Sequence, residues 1–418
     1  MAASATTVEI AGLPIALTTP PSIQAIFDVW NYTAGVAPGT WVAISGTALS
    51  AGSPLLLTFS PTGTLPTTVN GTTVTFNGTP GTLLYVGPTQ INVLVPASIA
   101  PGPVQVVVQT NGVTSAPFTI TATAALPAIY AVPNSDGSSF FITAALEATR
   151  YLVGNKAVDS RVVRAAWPGD IVDLYGIGFG ATQDPSKFVT DQWFLGSYPV
   201  STQVTATVGG EKATVYFAGL VTPGLYLVRI GIPGGIAPGP QSVQLSAAGS
   251  KTSPTLVLTI SAPPPNLIQN GSFESPLTGE WNLNVDSSQD ASATMQRTNS
   301  TAADGTYSIQ IDATSTATGT ANTSAVQLWQ AGFPVQQGQV YTLQFFAKAD
   351  NPGTVVLDVV QNGGSSSNYG LSKSYPLRTG WIHYVVYFQA TATDPAARLD
   401  FNLGDHTGNT WIDGVVLR

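Results

Sequence analysis

Three segments of this 418-residue chain occur twice in the same order, and that duplication constrains the fold more than any other feature. Ala37-Pro-Gly-Thr-Trp-Val-Ala-Ile-Ser-Gly46 aligns with Trp167-Pro-Gly-Asp-Ile-Val-Asp-Leu-Tyr-Gly176. Gln90-Ile-Asn-Val-Leu-Val-Pro96 aligns with Leu227-Val-Arg-Ile-Gly-Ile-Pro233, and Ala100-Pro-Gly-Pro-Val-Gln-Val-Val-Val108 with Ala237-Pro-Gly-Pro-Gln-Ser-Val-Gln-Leu245. The offset grows from 130 residues (Ala37 to Trp167) to 137 (Gln90 to Leu227), so the copies differ by a loop insertion. Each copy offers about seven short strands separated by Gly/Pro turns, the pattern of an Ig-like sandwich. Between the copies, Phe140 to Val153 reads as a strand pair packed on the second sandwich, because its β-branched residues weaken a helix. Ahead of them, Met1 to Pro21 reads as a leading strand or a tail.

A break follows at Ala262-Pro-Pro-Pro265, a stiff polyproline boundary. Beyond it the apolar residues alternate with period two, the signature of half-buried strands. Tyr341, Leu343, Phe345 and Ala347 alternate with Thr342, Gln344, Phe346 and Lys348. Leu399, Phe401 and Leu403 alternate with Arg398, Asp400 and Asn402, and Val326 and Leu328 with Gln327 and Trp329. Such strands build antiparallel sheets with one face in a core and one in water. The expected organisation is all-β, with three sandwiches at 1–124, 125–262 and 263–418.

Composition narrows the function classes. Zero Cys excludes disulfides, thiolate metal sites and a Cys nucleophile. Only 9% of residues are charged, with 42 Gly and 31 Pro, which suits an exported all-β protein. The net charge of -8 argues against nucleic-acid binding, and nothing resembles an apolar membrane span. Met1 to Glu9 lacks a signal-peptide pattern, so the start reads as a boundary inside a longer, secreted bacterial protein. For catalysis there are two His, His383 in a strand and His406 in a turn, and scattered acids with no βα alternation around them. No catalytic residue is expected.

The order and spacing of Asn266-Leu-Ile-Gln-Asn-Gly-Ser-Phe-Glu274, Gly338 to Lys348, Thr379 to Phe388, Arg398 to Gly404 and Trp411 to Leu417 resemble the jelly-roll (galactose-binding-like) carbohydrate-binding modules of families four, nine and twenty-two. The text of the repeat, with Leu84-Tyr-Val-Gly-Pro-Thr-Gln-Ile-Asn92, Pro168-Gly-Asp170 and Val208-Gly-Gly-Glu-Lys-Ala213, resembles an uncharacterised, IPT/TIG-like C-terminal domain of large exported acidobacterial proteins. The first resemblance implies non-catalytic binding of a β-glycan such as β-glucan, amorphous cellulose or xylan, with the Ig-like domains as spacers. The competing reading is a structural or adhesive surface protein without glycan specificity.

Two sites are expected. A face carrying Gln327, Trp329, Gln344, Phe346, Asp400 and Asn402 mixes a flat ring with hydrogen-bonding groups, the duality that a sugar presents. Trp281 and Tyr369 are further ligand candidates on loops, while Trp381 reads as core or edge support and Trp411 stays open between sheet face and chain-end cover. Glu274 and Asp413 stand at opposite ends of the module, where a jelly roll brings strands together, and hard oxygen donors suit Ca²⁺. The resemblance implies a structural Ca²⁺ there, with Ser272 and the Asp304-Gly305 turn beside it. The bland alternative is that the two acids only cap strand ends.

Overall fold

The computed structural model describes residues 19–58, 63–135, 137–253, 255–315, 323–363 and 367–418. Residues 1–18 of the expected leading strand or tail lie outside the described residues, as do residues 364–366 of the Gly/Ser run before Tyr369. The described chain is almost entirely β, with three-residue 3-10 turns and no α-helix among the described residues. It divides into two compact units, Met1–Ala262 and Pro263–Arg418.

The first unit holds the duplicated sandwiches. In the first copy Ser22–Asp28, Trp41–Thr47, Gln90–Leu94, Thr82–Val86 and Leu55–Leu56 form one sheet, in that order. It faces a second sheet built on Gly102–Thr110, Thr72–Phe76 and Phe118–Ala122. The second copy repeats the plan: Ile171–Ile177 pairs with Leu225–Gly231 as Trp41–Thr47 pairs with Gln90–Leu94. Gly239–Ala247 lies between Leu256–Ile260 and Val204–Val208. One capping device is duplicated as well. Ser115 Oγ accepts from Val108 N at 3.1 Å, and Thr252 Oγ1 accepts from Leu245 N at 3.1 Å.

Two departures from expectation concern connections. Phe140 to Val153 is not a simple strand pair, because the chain changes sheets at Thr143. Phe140–Ile142 joins Leu256–Ile260 in one sheet, and Ala144–Leu146 joins Ile171–Ile177 in the other. The region of the insertion also reaches back to the first copy: Leu65 N donates to Asp191 O at 2.8 Å, and Trp193 N to Gly63 O at 3.0 Å. Asn31 exchanges bonds with Ile129, and Trp41 Nε1 donates to Pro223 O at 3.1 Å. The two copies are therefore clasped by bonds that period-two alternation cannot reveal.

The second unit is a jelly roll of ten strands. They are β1 (Asn282–Val285), β2 (Ser292–Thr298), β3 (Ser308–Ser315), β4 (Val326–Val335), β5 (Val340–Ala349), β6 (Gly353–Val360), β7 (Asn368–Leu377), β8 (Ile382–Gln389), β9 (Asp394–Asn402) and β10 (Gly408–Leu417). Two five-stranded sheets, β1-β4-β9-β6-β7 and β2-β3-β10-β5-β8, pack face to face. The core between them takes alternate residues read from the sequence, Leu328, Leu343, Phe345, Leu399 and Phe401, together with Val355, Leu357, Val386 and Ile412.

The seam of this roll is the Asn266 segment. Asn266 Nδ2 donates to Val415 O at 3.0 Å, and its Oδ1 accepts from Leu417 N at 2.9 Å and Ile268 N at 3.0 Å. Buried Gln330 on β4 holds the same segment from the other sheet, accepting from Gln269 N and donating to Gln269 O. Gly271 is required where the segment meets β10, since a Cβ there would lie 2.0 Å from Val415 O. Asn266→Ala takes the side-chain partner from two donors, Leu417 N and Ile268 N, and one acceptor, Val415 O, in a half-buried seam, where a fully stranded group costs about 1–3 kcal/mol. Urea unfolding of the full chain should show the C-terminal transition weakened by about 2–4 kcal/mol with the N-terminal one unmoved. An unchanged midpoint would remove the seam's role.

Candidate functional site

The outer face of sheet β1-β4-β9-β6-β7 follows from register. Leu328, Leu399, Phe401, Leu357 and Val359 fill the core, so their strand neighbours point away from it. One row across the sheet reads Asn284, Gln327, Asn402, Val356, Ser374; the next reads Asn282, Trp329, Asp400, Asp358, Ser372. Arg398 stands in the row beyond, opposite Ala331.

A carboxamide chain fixes this surface. Asn284 Nδ2 donates to Gln327 Oε1 (3.3 Å), Gln327 Nε2 to Asn402 Oδ1 (2.8 Å), and Asn402 Nδ2 to Asp358 Oδ2 (2.7 Å). Asn368 Nδ2 reaches Asp358 Oδ1 at 3.3 Å. An ionised carboxylate only accepts, so Asp358 turns the Asn402 amide toward itself, and each amide behind it must then donate in the same direction. Beside the chain, Arg398 Nη2 donates to Asp400 Oδ2 at 2.8 Å. Arg398 Nε lies 2.8 Å from Asp400 Oδ1 as an ion pair, but off the line of a hydrogen bond. The guanidinium sits 5.4 Å from the Trp329 ring centroid. Asp400 is only 2% exposed. Burial pushes its carboxyl above the usual range, Arg398 pulls it back, and Asp358 adds to the rise.

Gln327, Trp329, Asp400 and Asn402 are therefore brought together as the alternation implied. Three other ligand candidates are corrected. Gln344, with Phe346, lies on β5 and thus on the opposite sheet, where Phe346 stacks on His383 at 4.5 Å. Period two assigns a residue to a face but not to a sheet. Trp281 is 2% exposed, packed between Phe273 and Phe401, and its Nε1 bonds Asn270 O. Tyr369 is 7% exposed and donates from its hydroxyl to Asp394 Oδ2 at 2.7 Å. Both serve the core. Trp381 stands at the edge of the second sheet, donating to Thr301 Oγ1, and Trp411 lies on that sheet's outer face; Lys348 Nζ sits 5.7 and 4.5 Å from their rings. Asp358, Asn368 and Asn284 escaped the sequence reading, while Arg398 was placed on the polar side of its strand without a role. Asp358 had a signal, being the one charge in Gly353 to Val360.

The two acids at the chain ends of the module converge on one turn without touching each other's donors. Asp413, fully buried, accepts from Ala303 N (2.8 Å) and Asp304 N (2.9 Å) with Oδ2 and from Gly414 N (2.7 Å) with Oδ1. Glu274 Oε1 accepts from Thr306 N and Tyr307 N, each at 2.8 Å. Gly305 passes so close beneath it that a Cβ would lie 2.5 Å from Oε1. Ser272 is half-buried in the turn leading to Phe273. Arg297 donates to the carbonyls of Phe273 and Glu274. The oxygen donors suit a hard cation in kind, but among the described residues no three His, Cys, Asp or Glu side chains converge as a metal-binding group. As arranged here, the acids cap the 303–307 turn.

The second His offers no reactive site. His406 bridges Asp405 Oδ1 (2.7 Å) and Thr410 Oγ1 (2.8 Å), a line that resembles a nucleophile–base–acid series. Thr410, however, is 1% exposed, so a substrate has no access to its hydroxyl. Among the described residues no helix is long and apolar enough to cross a membrane.

Several solved structures are similar to the C-terminal unit. A CBM4 module is 22% identical, covering 36% of this chain and 97% of its own, with a TM-score of 0.31. A xylan-binding domain from CBM 22 is 16% identical, covering 37% and 96%, at 0.28. The N-terminal cellulose-binding domain of Cellulomonas fimi β-1,4-glucanase C is 23% identical, covering 36% and 95%, at 0.27. No curated protein matches the chain. Among family models, residues 265–409 match a carbohydrate binding domain and residues 21–122 match the IPT/TIG domain. The chain thus joins an IPT/TIG Ig-like domain to a carbohydrate-binding domain, each named for the residues that match it.

Proposed function

We propose that this chain binds a β-glycan, such as β-glucan, amorphous cellulose or xylan, without cleaving it, through the outer face of sheet β1-β4-β9-β6-β7. The Ig-like sandwiches serve as spacers within a secreted bacterial protein. The observation that carries the reading is Trp329 standing in register with pre-oriented amides on the domain that matches a carbohydrate-binding family. An indole face takes the C–H side of a pyranose, and the aligned amides meet its hydroxyls. Aromatic anchors commonly carry much of a binding energy, about 2 kcal/mol or more and on the order of thirtyfold in affinity. Trp329→Ala should therefore abolish retardation of the full chain on gels of soluble β-glucan or xylan while leaving its melting temperature nearly unchanged. Trp281→Ala is the contrast: it should cost about 3–5 kcal/mol of stability. Wild-type protein that no polysaccharide retards would leave the structural or adhesive reading in place.

A structural Ca²⁺ at Glu274, Asp304 and Asp413, with Ser272 and Gly305 alongside, is part of the same proposal. It is supported by the oxygen-only donors and by the burial of Asp413, whose carboxyl is pushed above its usual range chiefly by desolvation. A cation would relieve that penalty, and a ligand specific to the folded state raises its stability. Chelator should lower the melting temperature of the C-terminal unit, and Asp413→Ala should erase the response. Identical melting curves with and without chelator would leave the turn capped by the acids alone.

The pH response separates the two acids. Glu274 is held below its usual 4.5 by the Tyr307 and Thr306 N–H groups and by Arg297. Its contribution is complete above 4.5 and disappears as pH falls through the lowered folded value. Asp413 acts with the opposite sign, since protonation relieves its burial. Glu274→Gln should accordingly flatten the loss of melting temperature on acidification. A wild-type slope retained in that variant would take the turn's stabilisation away from Glu274.

A further inference from the structure

The binding face carries more negative charge than its own cation compensates. Asp358 on β6 and Asp400 on β9 are direct cross-strand partners, and like charges so placed oppose each other. Arg398 is the one cation within ion-pair distance of either among the described residues, and it pairs with Asp400. Asp358 meets neutral donors, Asn402 and Asn368. The nearest lysine on the neighbouring strand β7, Lys373, is turned to the other side of the sheet, where its Nζ donates to Tyr387 O. Asp400 is 2% exposed with Arg398 against both of its oxygens, so it adds charge beneath the face and offers a ligand no direct contact. The next residue in the same row is Trp329, the ring available for stacking. A sheet keeps such a pair at a cost, and a ligand that brings a positive charge to it would offset that cost.

We propose that Asp358, backed by the buried charge of Asp400 and close to Trp329, forms a subsite for the protonated amine of an amino sugar, so that this face prefers a β-linked glucosamine polymer to its uncharged counterpart and rejects uronate-bearing chains. The inference rests on the reading of this face as the glycan site. The stacked pyranose supplies the C–H surface to Trp329. Its ammonium group, with three donors, reaches the half-buried Asp358 carboxylate, whose protein partners are neutral amides.

The test is calorimetric titration of the full chain with a glucosamine hexamer, cellohexaose and a uronate hexamer, at a mildly acidic pH where sugar amines are charged. Wild type should bind the glucosamine hexamer roughly fivefold tighter than cellohexaose, the size of a partly exposed ion pair. The uronate should bind most weakly. Added salt should shrink the glucosamine preference and leave cellohexaose binding unmoved. Asp358→Asn keeps an acceptor for Asn402 while removing the charge, and should lower the ratio of the two affinities toward one, whatever it does to both together. Cellohexaose binding equal to glucosamine binding, or a ratio untouched in Asp358→Asn, overturns the amine subsite but leaves glycan binding standing. If no sugar binds and Trp329→Ala behaves as wild type, the reading of the face fails and the subsite with it.

Discussion

The C-terminal unit depends on a carboxamide. Asn266 closes the jelly roll by bonding Val415 O and Leu417 N, 149 and 151 residues away in sequence. Loop closure over such a span is entropically unfavourable, though the cost rises only logarithmically with length. What makes closure specific is that both of the amide's poles are used at once, so the first segment can lie in only one register against β10. Gln330 repeats the device from the other sheet. Because β10 and β4 lie in different sheets, the segment bonded to both ties one sheet to the other, while the rows of β4 and β9 are aligned by their own ladder.

Much of the fold was legible because two signals are strong in this chain. Duplicated text marked a duplicated sandwich, and period two separated inward Leu399 and Phe401 from outward Arg398 and Asp400. Half of the candidate face was legible for the same reason. What was hidden is which strand lies in which sheet. Gln327 and Gln344 carry the same local pattern, yet β4 and β5 diverge to opposite sheets. Aromatic burial was hidden too: Trp281 follows Gly279 and Glu280 as an exposed loop residue would, but Phe273 and Phe401 claim its ring. The clasp between the two Ig-like copies rests mainly on backbone groups such as Gly63 O and Asp191 O, which every residue type possesses.

The two sheets of the jelly roll spend their outward aromatics differently. On β2-β3-β10-β5-β8, Phe346 and His383 stack on each other, and Lys348 lies against Trp381 and Trp411. Rings paired in this way cover one another and stiffen the sheet. On β1-β4-β9-β6-β7, Trp329 has no ring partner among its row neighbours, which are Asn282 and Asp400. The Arg398 guanidinium, 5.4 Å from its centroid, is its cationic neighbour. The two outer faces thus differ in ring–ring pairing and share the cation–ring contact.

Direction within the amide chain follows from two acceptors of the Asn402 nitrogen, Asp358 Oδ2 at 2.7 Å and the Val356 carbonyl at 3.1 Å. Asp358 accepts and never donates while ionised, so Asn402 must turn its nitrogen to it, and Gln327 and Asn284 follow. The carboxylate thereby sets the donor pattern that reaches Trp329's neighbours, two strands from its own position. Hydrogen bonds in such a series polarise one another, so a hydroxyl arriving at Asn284 or Gln327 meets a group already oriented and strengthened by a charge it does not touch. The same carboxylate that leaves this face over-negative joins the Val356 carbonyl in giving its amides a single direction.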